Sequence, residues 1–82
     1  MQPEERIQKV LEAIVLELVD QPDLVNVKYY KGDQTTVFQV YVASSDYGKT
    51  IGKQGATADA LRRILSAISA KFRMRCVMEI MD

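Results

Sequence analysis

The sequence predicts a two-layer α+β domain in which three strands lay one apolar face on helices. The order is helix, strand, strand, short helix, long helix, strand. Three observations carry this. Two segments repeat apolar residues at three- and four-residue steps, three shorter runs alternate apolar with polar residues, and Gly52-Lys53-Gln54-Gly55 separates two helical stretches. The 82 residues give room for one domain, spanning 1–82, with one modest core.

Pro3 suits a first helical position, and Glu4 and Glu5 complement the positive end of the helix dipole. Ile7, Val10, Leu11, Ile14 and Leu18 then form an apolar stripe that predicts a helix ending near Asp20, with Pro22 barring its continuation. Leu24 to Lys31 is rich in β-branched and aromatic residues, with Val25, Val27 and Tyr29 on one side of the pleat. Gly32-Asp33 punctuates, and Thr36 to Ala43 sets Phe38, Val40 and Val42 against Val37, Gln39 and Tyr41. Two such runs around a short Gly-containing loop predict an antiparallel hairpin. Ser44-Ser45-Asp46 offers N-cap chemistry for a short helix from Tyr47 to Ile51, stopped by Gly52. Ala58, Leu61, Ile64, Leu65, Ile68 and Phe72 mark a longer helix from about Thr57 to Phe72. Arg75 to Met81 alternates again, with Cys76, Met78 and Ile80 facing one way, as a third strand. The opposite sheet face is expected to stay open unless a partner covers it.

With 48% hydrophobic and 27% charged residues, the composition is that of a folded globular chain. The single cysteine, Cys76, cannot form an internal disulfide, so a reducing cytoplasm fits best. There is no histidine, which excludes a Ser-His or Cys-His nucleophile and leaves little to hold a metal; no metal or cofactor is expected. Glu4 and Glu5 stand where a leader would be basic and then apolar, so no signal peptide is expected. Glu12 and Glu17 interrupt the one apolar run, which is too short to span a bilayer.

Net charge is zero, but it is segregated. Residues 1–47 carry four basic and eight acidic side chains. Residues 48–75 carry seven basic ones (Lys49, Lys53, Arg62, Arg63, Lys71, Arg73, Arg75) against Asp59 alone. Such a dipole steers a polyanion to one side of the molecule. Any one of these cations could be an ordinary solvated helix residue; their clustering on the glycine-loop segment is the signal.

Two glycines three apart leave the backbone bare of Cβ atoms at both ends of a tight turn. A phosphate chain can then approach the peptide N–H groups, with Lys53 between them and a helix dipole pointing at the same spot. A competing motif lies just upstream. Gly48-Lys49-Thr50, five residues after Ala43, nearly spells a nucleotide-triphosphatase phosphate loop. That motif needs Lys49 and Thr50 to begin a continuous helix, and Gly52 and Gly55 in its first turns would each cost about 1 kcal/mol against alanine. The reading is disfavoured.

Ile51-Gly52-Lys53-Gln54-Gly55 between two helices, followed by Thr57-Ala58 and Ala60-Leu61-Arg62 and a strand ending Val77-Met78-Glu79-Ile80, resembles the KH domain in its prokaryotic, type II arrangement. The likeness covers Glu4 to Ile80 and is closest to small bacterial single-KH RNA-binding proteins. Ala56 departs from the pattern, standing where relatives often carry a basic residue. The resemblance implies a loop clamping the backbone of about four single-stranded nucleotides. Carried onto this chain, the N–H groups of Lys53, Gln54 and Gly55 contact phosphates, Lys49 and Lys53 add charge, and Ile51 lines the apolar floor of a groove. Val40 and Val42 are expected near its other wall, Arg62 and Arg63 at its side, and Tyr47 is the best-placed stacking residue.

The implied function is non-catalytic binding of single-stranded RNA, in post-transcriptional regulation or as an RNA chaperone. Weak contacts to four nucleotides imply work in multiples, through a homodimer or a heterodimer with another KH-containing protein. The alternative is a protein–protein module with little RNA binding of its own, pairing through the open sheet face or an exposed helix.

Overall fold

In the computed structural model, which describes residues 1–82, the two apolar stripes seat two helices against one face of a three-stranded sheet. The elements are α1 (Pro3–Leu16), a 3-10 turn (Pro22–Leu24), β1 (Asn26–Lys31), β2 (Thr36–Tyr41), α2 (Ser44–Ile51), a second 3-10 turn (Lys53–Gly55), α3 (Ala56–Lys71) and β3 (Cys76–Met81). The expected order holds, and the chain has the architecture of a type II KH domain.

Strand order is β1-β2-β3. β1 and β2 form the expected antiparallel hairpin, with Val27 opposite Val40 and Tyr29 opposite Phe38. β3 joins β2 in parallel, with Phe38 beside Met78 and Val40 beside Ile80. A parallel neighbour needs a crossover, and the α2–α3 pair supplies it. The period-2 register therefore points Val27, Phe38, Val40, Met78 and Ile80 at Ile7, Leu11 and Val15 of α1 and Ala58, Leu61 and Leu65 of α3. Phe38 is fully buried, and removing a side chain of this size from water contributes about 1.5–3 kcal/mol. It is the largest such residue and sits on the central strand.

The outer sheet face is open, as anticipated, and carries its own polar ladder. Gln39 donates to Glu79 at 3.1 Å, the Tyr41 hydroxyl donates to Gln39 at 2.9 Å, and the Lys28 ammonium lies 5.3 Å from the centre of the Tyr41 ring. At the opposite end of the molecule, Glu4 opens α1 and pairs with Lys31 at 3.3 Å. A bond from its own backbone amide, aided by Lys31, holds the Glu4 carboxyl below its usual range.

Several boundaries differ from expectation, β2 ending at Tyr41 among them. α1 ends at Leu16 rather than near Asp20, because the amides of Asp20 and Gln21 are drawn away to a distant carboxylate, that of Asp46. β1 starts at Asn26, since Pro22–Leu24 winds into a 3-10 turn with no buried side chain. α2 starts at Ser44 with Ala43 as its cap and no side-chain capping bond, so the Ser44-Ser45-Asp46 cap does not form.

Candidate nucleic-acid interface

The loop between α2 and α3 is built by backbone conformation. At the end of α2, the Gly52 N–H donates to the Gly48 carbonyl at 2.8 Å, and Gly52 takes φ +83°, ψ 169°. Only glycine adopts that region readily. A Cβ there would also fall 2.7 Å from the Thr57 backbone nitrogen. One 3-10 turn follows, with Gln54 at φ +56° and Gly55 at φ +78°, and α3 begins at Ala56. Three left-handed residues in four fold the chain back on itself, so α2 and α3 meet end to end around exposed peptide groups.

The hydrogen-bond pattern decides which of those groups are free. Gly55 donates its N–H to the Gly52 carbonyl at 3.1 Å, and Ala56 donates to the Lys53 carbonyl. The expectation that Gly55 offers its amide to a phosphate is therefore corrected: that donor closes the turn. Lys53 and Gln54 have no internal acceptor for their N–H groups, and both residues are exposed. Two open donors lie in the turn that leads into the N-terminus of α3, with the exposed Lys53 side chain on the same turn. This geometry suits an anionic oxygen.

The structure redistributes the other predicted residues. Lys49 lies on α2 but is already paired: its ammonium sits 2.7 Å from the Asp20 carboxylate, whose hydrogen bond and charge raise the lysine pKa. Ile51 is half-buried and packs on the core beside the loop. Arg62 is exposed, with Asp59 3.8 Å away across one helical turn. Arg63 borders an open concavity on α3 with Ala56, Asp59, Ala60 and Ile64. Tyr47 is exposed on α2, and Tyr29 packs under the sheet with its ring centre 5.9 Å from Phe38. Val40 and Val42 form no groove wall. Period-2 alternation turns both inward, and they are buried in the core.

The phosphate-loop alternative fails on geometry. Thr50 is fully buried and donates its hydroxyl to the Asp46 carbonyl at 2.9 Å, while Lys49 reaches Asp20. Both residues lie in the last turn of α2 rather than opening a helix. No group of three His, Cys, Asp or Glu residues is placed to hold a metal ion, and no helix is long and apolar enough to cross a membrane.

Asp46, read from the sequence only as part of a local helix cap, shapes the site through long-range bonds instead. Asp46, 1% exposed, accepts the N–H groups of Asp20 and Gln21 at 3.0 Å each, and the Gln21 amide donates to Ser45 at 2.7 Å. These bonds pin the α1–β1 connection onto α2 and hold Asp20 over Lys49. Asp46's partners precede it by 25 and 26 residues, so no local pattern reveals this role.

Comparison with known proteins agrees with this fold. The family model described as "KhpA/KhpB, KH domain" matches residues 8–80. The "RNA-binding protein KhpA" of Aquifex aeolicus is 42% identical over 76 residues, covering 93% of this chain and 96% of that protein. Its namesake in Clostridium acetobutylicum is 42% identical over 74 residues, covering 90% and 99%. That of Borreliella burgdorferi is 39% identical over 74 residues, covering 90% of each. No solved structure matches the chain. With the Gly-Lys-Gln-Gly turn seated between α2 and α3 and the family match running through both, the chain belongs to the KhpA/KhpB family of KH domains.

Proposed function

We propose that this chain binds single-stranded RNA without catalysing a reaction on it, by seating a phosphodiester against the N–H groups of Lys53 and Gln54. The observation that carries the reading is that these two amides, alone in the turn, lack an internal acceptor while Gly52 and Gly55 hold the backbone around them. The relatives named as RNA-binding proteins support the polymer. Lys53 supplies charge, Ile51 a small apolar floor and Arg63 a flanking cation; Arg62 lies one step further round the helix. A cytoplasmic role in post-transcriptional regulation or RNA chaperoning fits such a clamp.

Titration of a labelled short oligouridine tests it. Replacing Lys53 and Gln54 together by Asp should weaken binding more than about tenfold while the circular dichroism and melting temperature stay near wild type, because both side chains are exposed. Binding that survives this double change removes the loop as the clamp.

The Asp20–Lys49 pair adds a second expectation. An intramolecular carboxylate occupies the ammonium that a phosphate would use. Asp20→Asn should therefore tighten RNA binding about threefold and steepen its dependence on log salt by about 0.7, the increment for one added phosphate contact on a single strand. Equal salt slopes for the two proteins would show that Lys49 takes no part.

Four nucleotides give weak affinity, so the domain works in multiples, as a homodimer or with another KH-containing chain. The α3 surface around Ile64, which is 43% exposed between Ala60 and Arg63, supports pairing through a helix. Sedimentation with and without RNA separates the two roles: a pure interaction module associates regardless of RNA and fails to bind oligouridine.

A further inference from the structure

Where α3 ends and turns into β3, the chain carries three cations close together in sequence, and a fourth from α1 meets one of them at an aromatic ring. Lys71 closes α3, Arg73 and Arg75 follow in the bend, and Arg6 comes from the first turns of α1. All four are exposed, and none belongs to an ion pair. The Arg6 guanidinium lies 5.1 Å and the Lys71 ammonium 5.4 Å from the centre of the Phe72 ring. One half-buried aromatic thus contacts two cations. Beneath them runs a cleft of about 180 Å³ between α1 and α3, floored by Ile7, Val10 and Ile68. Exposed cations that form no ion pair favour an external polyanion.

The backbone carries an independent sign. Arg73 has φ +55°, and the N–H of Met74 returns to the Ser69 carbonyl at 2.9 Å. That is the helix-ending loop in which the left-handed position is ordinarily glycine. An arginine there is strained by its Cβ, and glycine would relieve it. The backbone gains nothing from arginine at this position; what the residue adds is its charge.

We propose that this corner is a second RNA-backbone site, so that a strand held at the glycine loop extends along α3 to Arg6, Lys71 and Arg73. The proposal rests on the reading that the loop itself binds single-stranded RNA. α3 has 16 residues, which places its two ends about 24 Å apart. That span equals about seven stacked nucleotide spacings of about 3.4 Å. Exposed Arg63 lies between the ends, and Asp59 is the one acidic residue on the helix, 3.8 Å from Arg62. Cations strung along a helix and spread over its far corner suit a continuous phosphate chain better than a single carboxylate of a protein partner. A nucleotide run of about four reaches only the loop, and a run of about twelve reaches both.

Binding of 4-mer and 12-mer oligouridine at several salt concentrations tests this, using wild type, Arg73→Gly, and Arg6→Gln with Lys71→Gln. The corner variants should bind the 4-mer as wild type does and lose about fivefold or more on the 12-mer. Their 12-mer salt slopes should flatten by about 0.7 for each contact removed. Arg73→Gly should also melt at or above the wild-type temperature, so its loss of long-RNA binding cannot be a folding defect. Wild-type affinity of both variants for the 12-mer overturns the proposal, and is the result expected if the corner serves an acidic peptide instead. Equal loss on both lengths overturns it as well. The loop reading fails separately, through unchanged 4-mer binding when Lys53 and Gln54 are replaced by Asp.

Discussion

Gly52→Ala should destabilise the domain by about 3–5 kcal/mol, whereas Gly55→Ala, three residues later, should cost only about 1–2 kcal/mol. At Gly52 two penalties combine. The φ +83°, ψ 169° conformation is one that a residue with a Cβ occupies at a strain of about 1–3 kcal/mol. A methyl group there would also press on Thr57, touching its Cβ and its backbone nitrogen, each at 2.7 Å. Rotation about χ1 would move only the Thr57 hydroxyl and methyl; the Cβ and the nitrogen are fixed to the first turn of α3 and can move only with the helix, a strain comparable to overpacking. At Gly55 a Cβ meets nothing within 4 Å, so the left-handed backbone alone is strained. A small domain has a total stability of only several kcal/mol, so the first variant should be largely unfolded or refolded around a different loop. Urea midpoints for the two proteins check this. Equal midpoints would show that the α2–α3 junction is not held by the Gly52–Thr57 contact.

Asp46→Ala should be similarly damaging, at about 3–5 kcal/mol, although the residue touches no proposed ligand. Its buried carboxylate accepts two backbone N–H bonds, each charge-assisted and each leaving an orphaned donor when removed. The carboxylate also lies in the first turn of α2, where negative charge complements the helix dipole. Asp46→Asn keeps the shape and one acceptor, so about half that loss is expected. For a domain of this size, 2 kcal/mol lowers the melting temperature by about 8–16 °C. The functional consequence separates this variant from a simple fold defect. Freeing the α1–β1 connection withdraws Asp20 from Lys49, so RNA affinity measured well below the melting temperature should hold or rise. A melting temperature equal to wild type would mean that the two amides find other partners.

These residues mark the line between what the sequence made legible and what it hid. Periodicity placed α1, α3 and the three strands within a few residues, because α1 and α3 bury one stripe each and the strands turn one face inward. The paired glycines were legible because positive φ at both ends of a turn leaves little choice of residue. Hydrogen-bond destinations were not. Gly55 resembles an open phosphate-binding amide until Gly52's carbonyl is seen 3.1 Å away. Asp46 reads as a cap because capping chemistry is local, while its true partners come from a loop brought near only by the fold. The same long-range bonds end α1 at Leu16, where its apolar stripe alone would carry it further. Val40 on β2 and Val42 just past it share the apolar face, and the packing of α1 and α3 buries that face in the core rather than leaving it at a groove. Arg73 went unmarked because a left-handed arginine carries no compositional signature.

On the proposed function, Lys53 and Gln54 present unclaimed backbone donors to a phosphodiester, while Gly55 does not. Amide nitrogen–proton correlation spectra recorded during titration with a short oligouridine test it residue by residue. Lys53 and Gln54 should show the largest shifts in the chain, Gly55 a smaller one, and the outer sheet residues Gln39 and Glu79 none. Shifts centred on that sheet face, with the Lys53 and Gln54 amides unmoved, would contradict it.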